Sequence, residues 1–192
     1  MLVNKLRQKG LQVLEISKAR VPLLNVWYKQ ELWIDVSLTV VLATDISPRN
    51  LLPVDEASGL SLRSVLVSMS LYERVCFACE DESDYLVFSD FLKTIKTWAI
   101  NRQLYGQTLC FLGGVSFSIL CANIFLVVKR QQPTISQSEL LFIFFSMYSK
   151  WDWQYPVSLD LNQVGYMNPI SQDGSQPLMT ILTPDFSENT CP

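Results

Sequence analysis

From Leu109 to Val128 the chain runs for twenty residues without a charge, and Lys129 and Arg130 follow at once. No other stretch restricts the fold as strongly. By length and flanking charge it is a candidate membrane span. It also reads as the central helix of a globular core, because Ser116, Ser118 and Asn123 interrupt it with polar groups. The overlapping block from residue 95 to 120 carries chemistry: Lys96, Tyr105 and the pair Gly113–Gly114 stand at the spacing of a nucleotide site.

Charge and composition narrow the function. With 15 basic and 18 acidic residues the net charge is −3, which argues against strong nucleic-acid binding by this chain alone, since such binders neutralise phosphates with Lys and Arg. There is no histidine. Ser-His and Cys-His nucleophile pairs, histidine bases and histidine metal ligands are therefore excluded, leaving carboxylates, Lys, Tyr or a carboxylate-bound metal. The 5 cysteines follow no disulfide framework, which fits a reducing compartment. Cys76 and Cys79 form a single C-x-x-C with no second pair, so half-buried thiols are favoured over a four-ligand zinc site. Lys5, Arg7, Lys9, Glu15, Lys18 and Arg20 break up the N-terminal segment, which does not read as a signal peptide.

Periodicity then lays out the elements. Residues 3–18 read as an amphipathic helix weakened at Gly10, and residues 21–28 as a strand that Pro22 assigns to an edge or a start. Lys29–Glu31 read as a hairpin connection into ELWIDVSLTVV. There Leu32, Ile34, Val36, Leu38 and Val40 face one way, and Trp33, Asp35, Ser37 and Thr39 the other. Residues 44–60, with Pro48, Pro53 and Gly59, read as a loop and a boundary. Helical spacing dominates from about residue 61 and is firm from Phe88 to residue 102, with Lys96 at the rim of the apolar face. Ser136 and Glu139 form a capping box for a helix over 137–149, with Ile135 and Leu140 placed as a staple. Its LLFIFF run predicts burial on most sides. Beyond Trp153 the chain turns irregular until LMTILT, a strand candidate at 178–183.

Taken together, Asp35 on a strand, Lys96 and Tyr105 as phosphate donors, and Gly113–Gly114 opening a helix make one constellation. Each alone has a bland reading: a solvated lysine, a turn, a hydrogen-bonded surface aspartate.

Four segments resemble the eukaryotic poly(A) polymerase family in order and spacing. ARVPLLNVWYKQELWIDVSLTVV resembles that family's hairpin with the third metal-binding aspartate. FLKTIKTWAINRQLYGQTLCFLGGVSFSIL resembles its IKLWAKRRxIYSNxxGFLGGVSWAML motif. YSKWDWQYPVSL resembles FSKWEWPNPVLL, and LMTILTP resembles LMPIITP. The resemblance implies an α+β fold: a palm remnant with the hairpin over 1–45, a helical central domain with a returning strand over 46–184, and a tail over 185–192. It makes residues 109–128 a buried core helix rather than a membrane span.

The resemblance also implies roles. Asp35 is the third carboxylate for Mg2+ or Mn2+. Lys96 and Tyr105 contact the triphosphate of ATP, Gly114 and Val115 lie near the adenine, and Thr183 meets it from the returning segment. The implied reaction adds AMP to an RNA 3′ end, in the nucleus, alongside polyadenylation-factor proteins. Three departures weigh against full activity. No D-x-D occurs in the chain, so the first two carboxylates are lacking; Ser70 stands where the family has an ATP-contacting Asn; and Ile100 stands where many members have a second phosphate-facing Lys. By the same resemblance an RNA-binding domain is expected beyond residue 192. The alternatives are a non-catalytic binding or scaffold protein of the polyadenylation machinery, which would not bind ATP, and a single-pass membrane protein, which would need detergent to dissolve.

Overall fold

A computed structural model describes residues 2–17, 23–28, 32–37, 39–42, 52–53, 56–160, 179–184 and 189–191. The fold is α+β, and the chain divides into two compact units, residues 1–66 and 67–192.

In the first unit the expected helix over 3–18 is instead a helix and a strand. Helix α1 (Leu2–Gln8) stops where Gly10 takes φ +79, a left-handed conformation that closes a helix and that residues with a Cβ rarely adopt. Gly10 N–H donates to Arg7 O at 2.9 Å and Leu11 N–H to Leu6 O at 3.2 Å, which satisfies the last carbonyls. The chain then extends into β1 (Gln12–Ile16), which pairs antiparallel with β2 (Leu23–Tyr28). Strand β3 (Leu32–Ser37) pairs with the other edge of β2, so the sheet order is β1-β2-β3. The hairpin connection at 29–31, together with Val21, Pro22 and Leu38, lies outside the described residues. Val26, central in the sheet, is buried. Two short strands pair antiparallel: β4 (Val41–Leu42), at the end of the ELWIDVSLTVV segment, and β5 (Leu52–Pro53), within what reads as a loop. Helix α2 (Glu56–Ala78) starts earlier than periodicity suggests and takes in Gly59.

The second unit is built on helices. α3 (Glu82–Asn101) begins at Asp81, whose carboxylate accepts Asp84 N–H, and it buries Phe88, Phe91, Ile95 and Ala99 at helical spacing. α4 (Gly114–Gln131) buries ten of its 18 residues. The uncharged run is longer than the helix, because residues before Gly114 form a loop with a 3-10 turn at Gln107–Leu109. Among the described residues α4 is the helix long and apolar enough to cross a membrane, yet here it packs against α3 and α5 (Gln137–Tyr148). Lys129 is not a solvated flank: it makes a 2.7 Å ion pair with Asp84, the two side chains only 4% and 15% exposed, and it also donates to Pro133 O. α5 opens with the expected capping box, and Ile135 and Leu140 are both buried. Its expected burial on most sides does not hold. Leu140 and Phe144 are buried, whereas Phe142 is 73% and Phe145 41% exposed. Neighbouring residues on a helix point about 100° apart, so a continuous Leu/Phe run cannot all face one core.

The three polar interruptions of α4 each find a partner. Ser118 Oγ donates to Gly114 O at 2.8 Å, Ser116 Oγ to Thr190 O at 3.0 Å, and Asn123 Nδ2 to Ser158 O at 2.8 Å. The Tyr148 hydroxyl donates to Leu120 O (3.0 Å) and Asn123 Oδ1 (3.2 Å), and burial raises its pKa well above the ordinary value, which keeps it a donor. The strand expected at 178–183 is narrower: Ile181 bridges Val157 in parallel and Leu182 bridges Asn189 antiparallel, while Leu178 lies outside the described residues.

Replacing Asn123 with Ala strands Ser158 O, so Asn123→Ala is expected to lower the unfolding free energy by about 1–3 kcal/mol in urea titrations. Phe142→Ser, at an exposed position, should change it by no more than about 0.5 kcal/mol.

Candidate functional site

The site begins where α3 ends. Leu104 N–H closes the helix on Ala99 O at 2.8 Å, and Gln103 adopts φ +57 to turn the chain away. The loop that follows is closed on itself. Gly106 N–H donates to Leu112 O (3.0 Å), while Gly106 O accepts from Leu109 N–H (3.1 Å) and Phe111 N–H (3.2 Å). Gly106 does this at φ +121, a conformation that side chains disfavour. Tyr105 enters the loop with its ring stacked on Phe117 of α4, centroids 5.7 Å apart and planes 4° apart. Loop closure and stacking together fix where its hydroxyl points.

That hydroxyl points at Gly114, the first residue of α4. A Cβ added at Gly114 would lie 2.7 Å from Tyr105 Oη and 3.8 Å from Lys96 Nζ. Lys96, Tyr105 and Gly114 are thus brought to one place, and glycine is required there by close approach rather than by its dihedral angles. A helix start adds unpaired backbone N–H groups and a favourable dipole, so the arrangement suits an anion. Burial lowers the Lys96 pKa below its ordinary 10.5. The Cys121 thiol is itself pushed up by burial and stays protonated. Among the described residues no carboxylate pairs with Lys96, and a half-buried ammonium of this kind suits an anionic ligand.

The other candidates fall as follows. Val115, next to Gly114, is 40% exposed at the mouth of the same helix. Thr183 is buried in the returning segment. Ser70 sits half-buried within α2. Ile100, one turn beyond Lys96, offers 55%-exposed apolar surface instead of a second charge. Asp35 belongs to the first unit. It stands directly across from Asn25, whose buried amide donates to its carboxylate. Among the described residues no group of three or more Cys, Asp or Glu side chains is placed to hold a metal ion. One carboxylate does not compose a two-metal centre.

Sequence reasoning missed Gln107 and Thr190. Gln107 lies beneath the Gly113 turn, where an added Cβ would come 3.1 Å from its Cγ, and its Nε2 donates to Thr190 O at 3.1 Å. Neither residue has a local signal, because the contact joins positions 83 apart.

Fold and site define a helical domain that brings a lysine ammonium and a tyrosine hydroxyl to the start of its central helix. The profile of the poly(A) polymerase central domain matches residues 87–191. The chain is 31% identical to a poly(A) polymerase of Dictyostelium discoideum over 137 residues, which is 69% of this chain and 16% of that protein. It is 36% identical over 103 residues to a poly(A) polymerase of Entamoeba histolytica, covering 53% of this chain and 18% of the relative. It is 32% identical over 114 residues to nuclear poly(A) polymerase 3 of Arabidopsis thaliana, covering 59% and 20%. The chain therefore belongs to the poly(A) polymerase family and carries its central domain. The matched region spans only about a fifth or less of each of these relatives.

Gly114→Ala sets a Cβ 2.7 Å from the held Tyr105 Oη and is expected to lower the unfolding free energy by about 1–3 kcal/mol in urea titrations. Lys96→Met removes a cation that folding disfavours. Because the folded-state pKa is depressed, the ammonium costs stability at neutral pH, and that cost fades as pH rises from the depressed value toward 10.5. Lys96→Met should therefore raise the unfolding free energy at pH 7, with the gain shrinking toward pH 10.5 in a urea series.

Proposed function

We propose that this chain supplies the ATP-facing wall of a polynucleotide adenylyltransferase, the activity that adds AMP from ATP to RNA 3′ ends in mRNA polyadenylation. The observation that carries this reading is the convergence of Lys96 Nζ and Tyr105 Oη on Gly114 within a poly(A) polymerase central domain. Lys96 and Tyr105 would hold the triphosphate. Gly114 and Val115 would let the adenine approach the start of α4, and Thr183 would meet it from the returning segment. Ser70 would take the place of the Asn that contacts ATP in the family. The hairpin over residues 1–45 would be the end of a nucleotidyltransferase palm, with the central domain over 46–184.

Asp35 would be one of three carboxylates for Mg2+ or Mn2+, which activate the 3′ hydroxyl and steady the leaving pyrophosphate when bound. Since the 192 residues hold no D-x-D, they would not transfer AMP by themselves and would need the other two carboxylates from elsewhere. Substrates would be ATP and an RNA 3′ end, with polyadenylation-factor proteins as partners, a nuclear location and no membrane span. One relative's name, nuclear poly(A) polymerase 3, supports the location.

The exposed Ile100 favours a second reading. Without the second cation, the domain would serve as a non-catalytic scaffold of the polyadenylation machinery and would not bind ATP.

The test is ATP-dependent extension of a short RNA primer with Mg2+ or Mn2+, by the chain alone and mixed with a relative's N-terminal half carrying D-x-D. No extension alone and extension in the mixture are expected. The informative control is Asp35→Asn, which keeps an acceptor for the buried Asn25 amide while removing the charge. It should abolish extension in the mixture. Full extension with Asp35→Asn would remove the metal role, and absence of ATP binding by the unmixed chain would favour the scaffold.

A further inference from the structure

The returning segment is held by backbone bonds from both sides. On one side Val157 N–H donates to Thr180 O and Leu182 N–H to Val157 O, both at 2.9 Å. On the other, Thr190 donates to Ile181 O through its N–H (2.8 Å) and its Oγ1 (3.1 Å), while Asn189 Oδ1 accepts Ile181 N–H (3.0 Å). Each flank is then tied to α4 by a buried polar side chain. Asn123 reaches Ser158 O, beside Val157, and Ser116 reaches Thr190 O. The two donors are seven residues apart, so they share one face of the helix.

Thr190 O has a second donor. Gln107 Nε2 reaches it at 3.1 Å from the loop that leads into α4, and the same side chain underlies Gly113. Thr190, bonded to Ile181 of the segment that carries Thr183, thus offers one carbonyl to both the first turn of α4 and the loop that carries Tyr105.

We propose that Gln107 and Ser116 are positioning residues for nucleotide recognition: by sharing the Thr190 carbonyl they hold the segment bearing Thr183 in register with the Gly114–Val115 wall. This rests on the reading that ATP binds at that wall. The phosphate-facing pair is built separately, since Lys96 sits on α3 and Tyr105 is fixed by its stack on Phe117 and by the Gly106–Leu112 closure. Loosening the clasp therefore affects recognition of the base and leaves recognition of the phosphates. A merely structural role predicts something else, namely equal loss for every ligand of the site.

The test uses the whole chain with Ser116→Ala, Gln107→Leu and the double variant, titrated calorimetrically with ATP·Mg and with inorganic tripolyphosphate. Each single variant should weaken ATP about fivefold and the double variant about twentyfold or more, with tripolyphosphate changed by about twofold or less. Gln107 is exposed, so Gln107→Leu reports even if the buried Ser116→Ala proves unstable, and helical circular dichroism checks both. Equal loss of ATP and tripolyphosphate, or unchanged ATP affinity in folded Gln107→Leu, overturns the proposal while leaving the ATP reading intact. A wild-type chain with no affinity for ATP overturns both.

Discussion

Polar groups inside an apolar helix must be hydrogen-bonded, and the second unit is organised around that requirement. α4 buries ten residues, and two of them, Ser116 and Asn123, carry groups that α4 itself does not satisfy. Their partners are backbone carbonyls of irregular chain, at Thr190 and Ser158. Hydrophobic burial would pack α3, α4 and α5 without these bonds, since Phe91, Ile95, Phe125, Leu140 and Ile181 supply apolar contact. It would not say where a segment with little regular structure should lie. The two donors tie it to α4 at two backbone carbonyls, Thr190 O and Ser158 O.

The candidate site follows from close approach at the front of the same helix. Tyr105 lies parallel to Phe117 and reaches past it to the Cα of Gly114, so one ring is fixed by its neighbour and its hydroxyl occupies the space a side chain would fill. Lys96 arrives from α3 with its stem packed and its charge short of solvent, which is why its pKa is lowered. None of these groups is strained. The cost of the arrangement sits in one half-buried ammonium, and a bound polyphosphate would offset it.

Much of this was legible in sequence wherever the signal is local. The capping box at Ser136, the helical spacing around Lys96, the strand through Asp35 and the glycine pair that opens α4 all depend on residues a few positions apart. The failures have two causes. Residues 3–18 suit a helix on one face, but Gly10 in a left-handed conformation and pairing with β2 divide them into α1 and β1; the partner strand lies outside any local window. The Leu/Phe run of α5 predicts deep burial, yet what surrounds a helix is not written in the helix, and Phe142 is exposed. Gln107 and Thr190 gave no signal for a related reason. A side chain bonded to a distant carbonyl leaves no periodicity behind.

That last contact distributes constraint unevenly along the chain. Thr190 presents its carbonyl oxygen to Ser116 and Gln107, and every amino acid carries such an oxygen. The accepting position can therefore drift in identity without losing the joint, provided its backbone stays in place, while the two donating positions cannot. Substitutions that leave the joint intact should accumulate at the receiving end, and the memory of the contact should persist only in a glutamine and a serine that lie far from it in sequence.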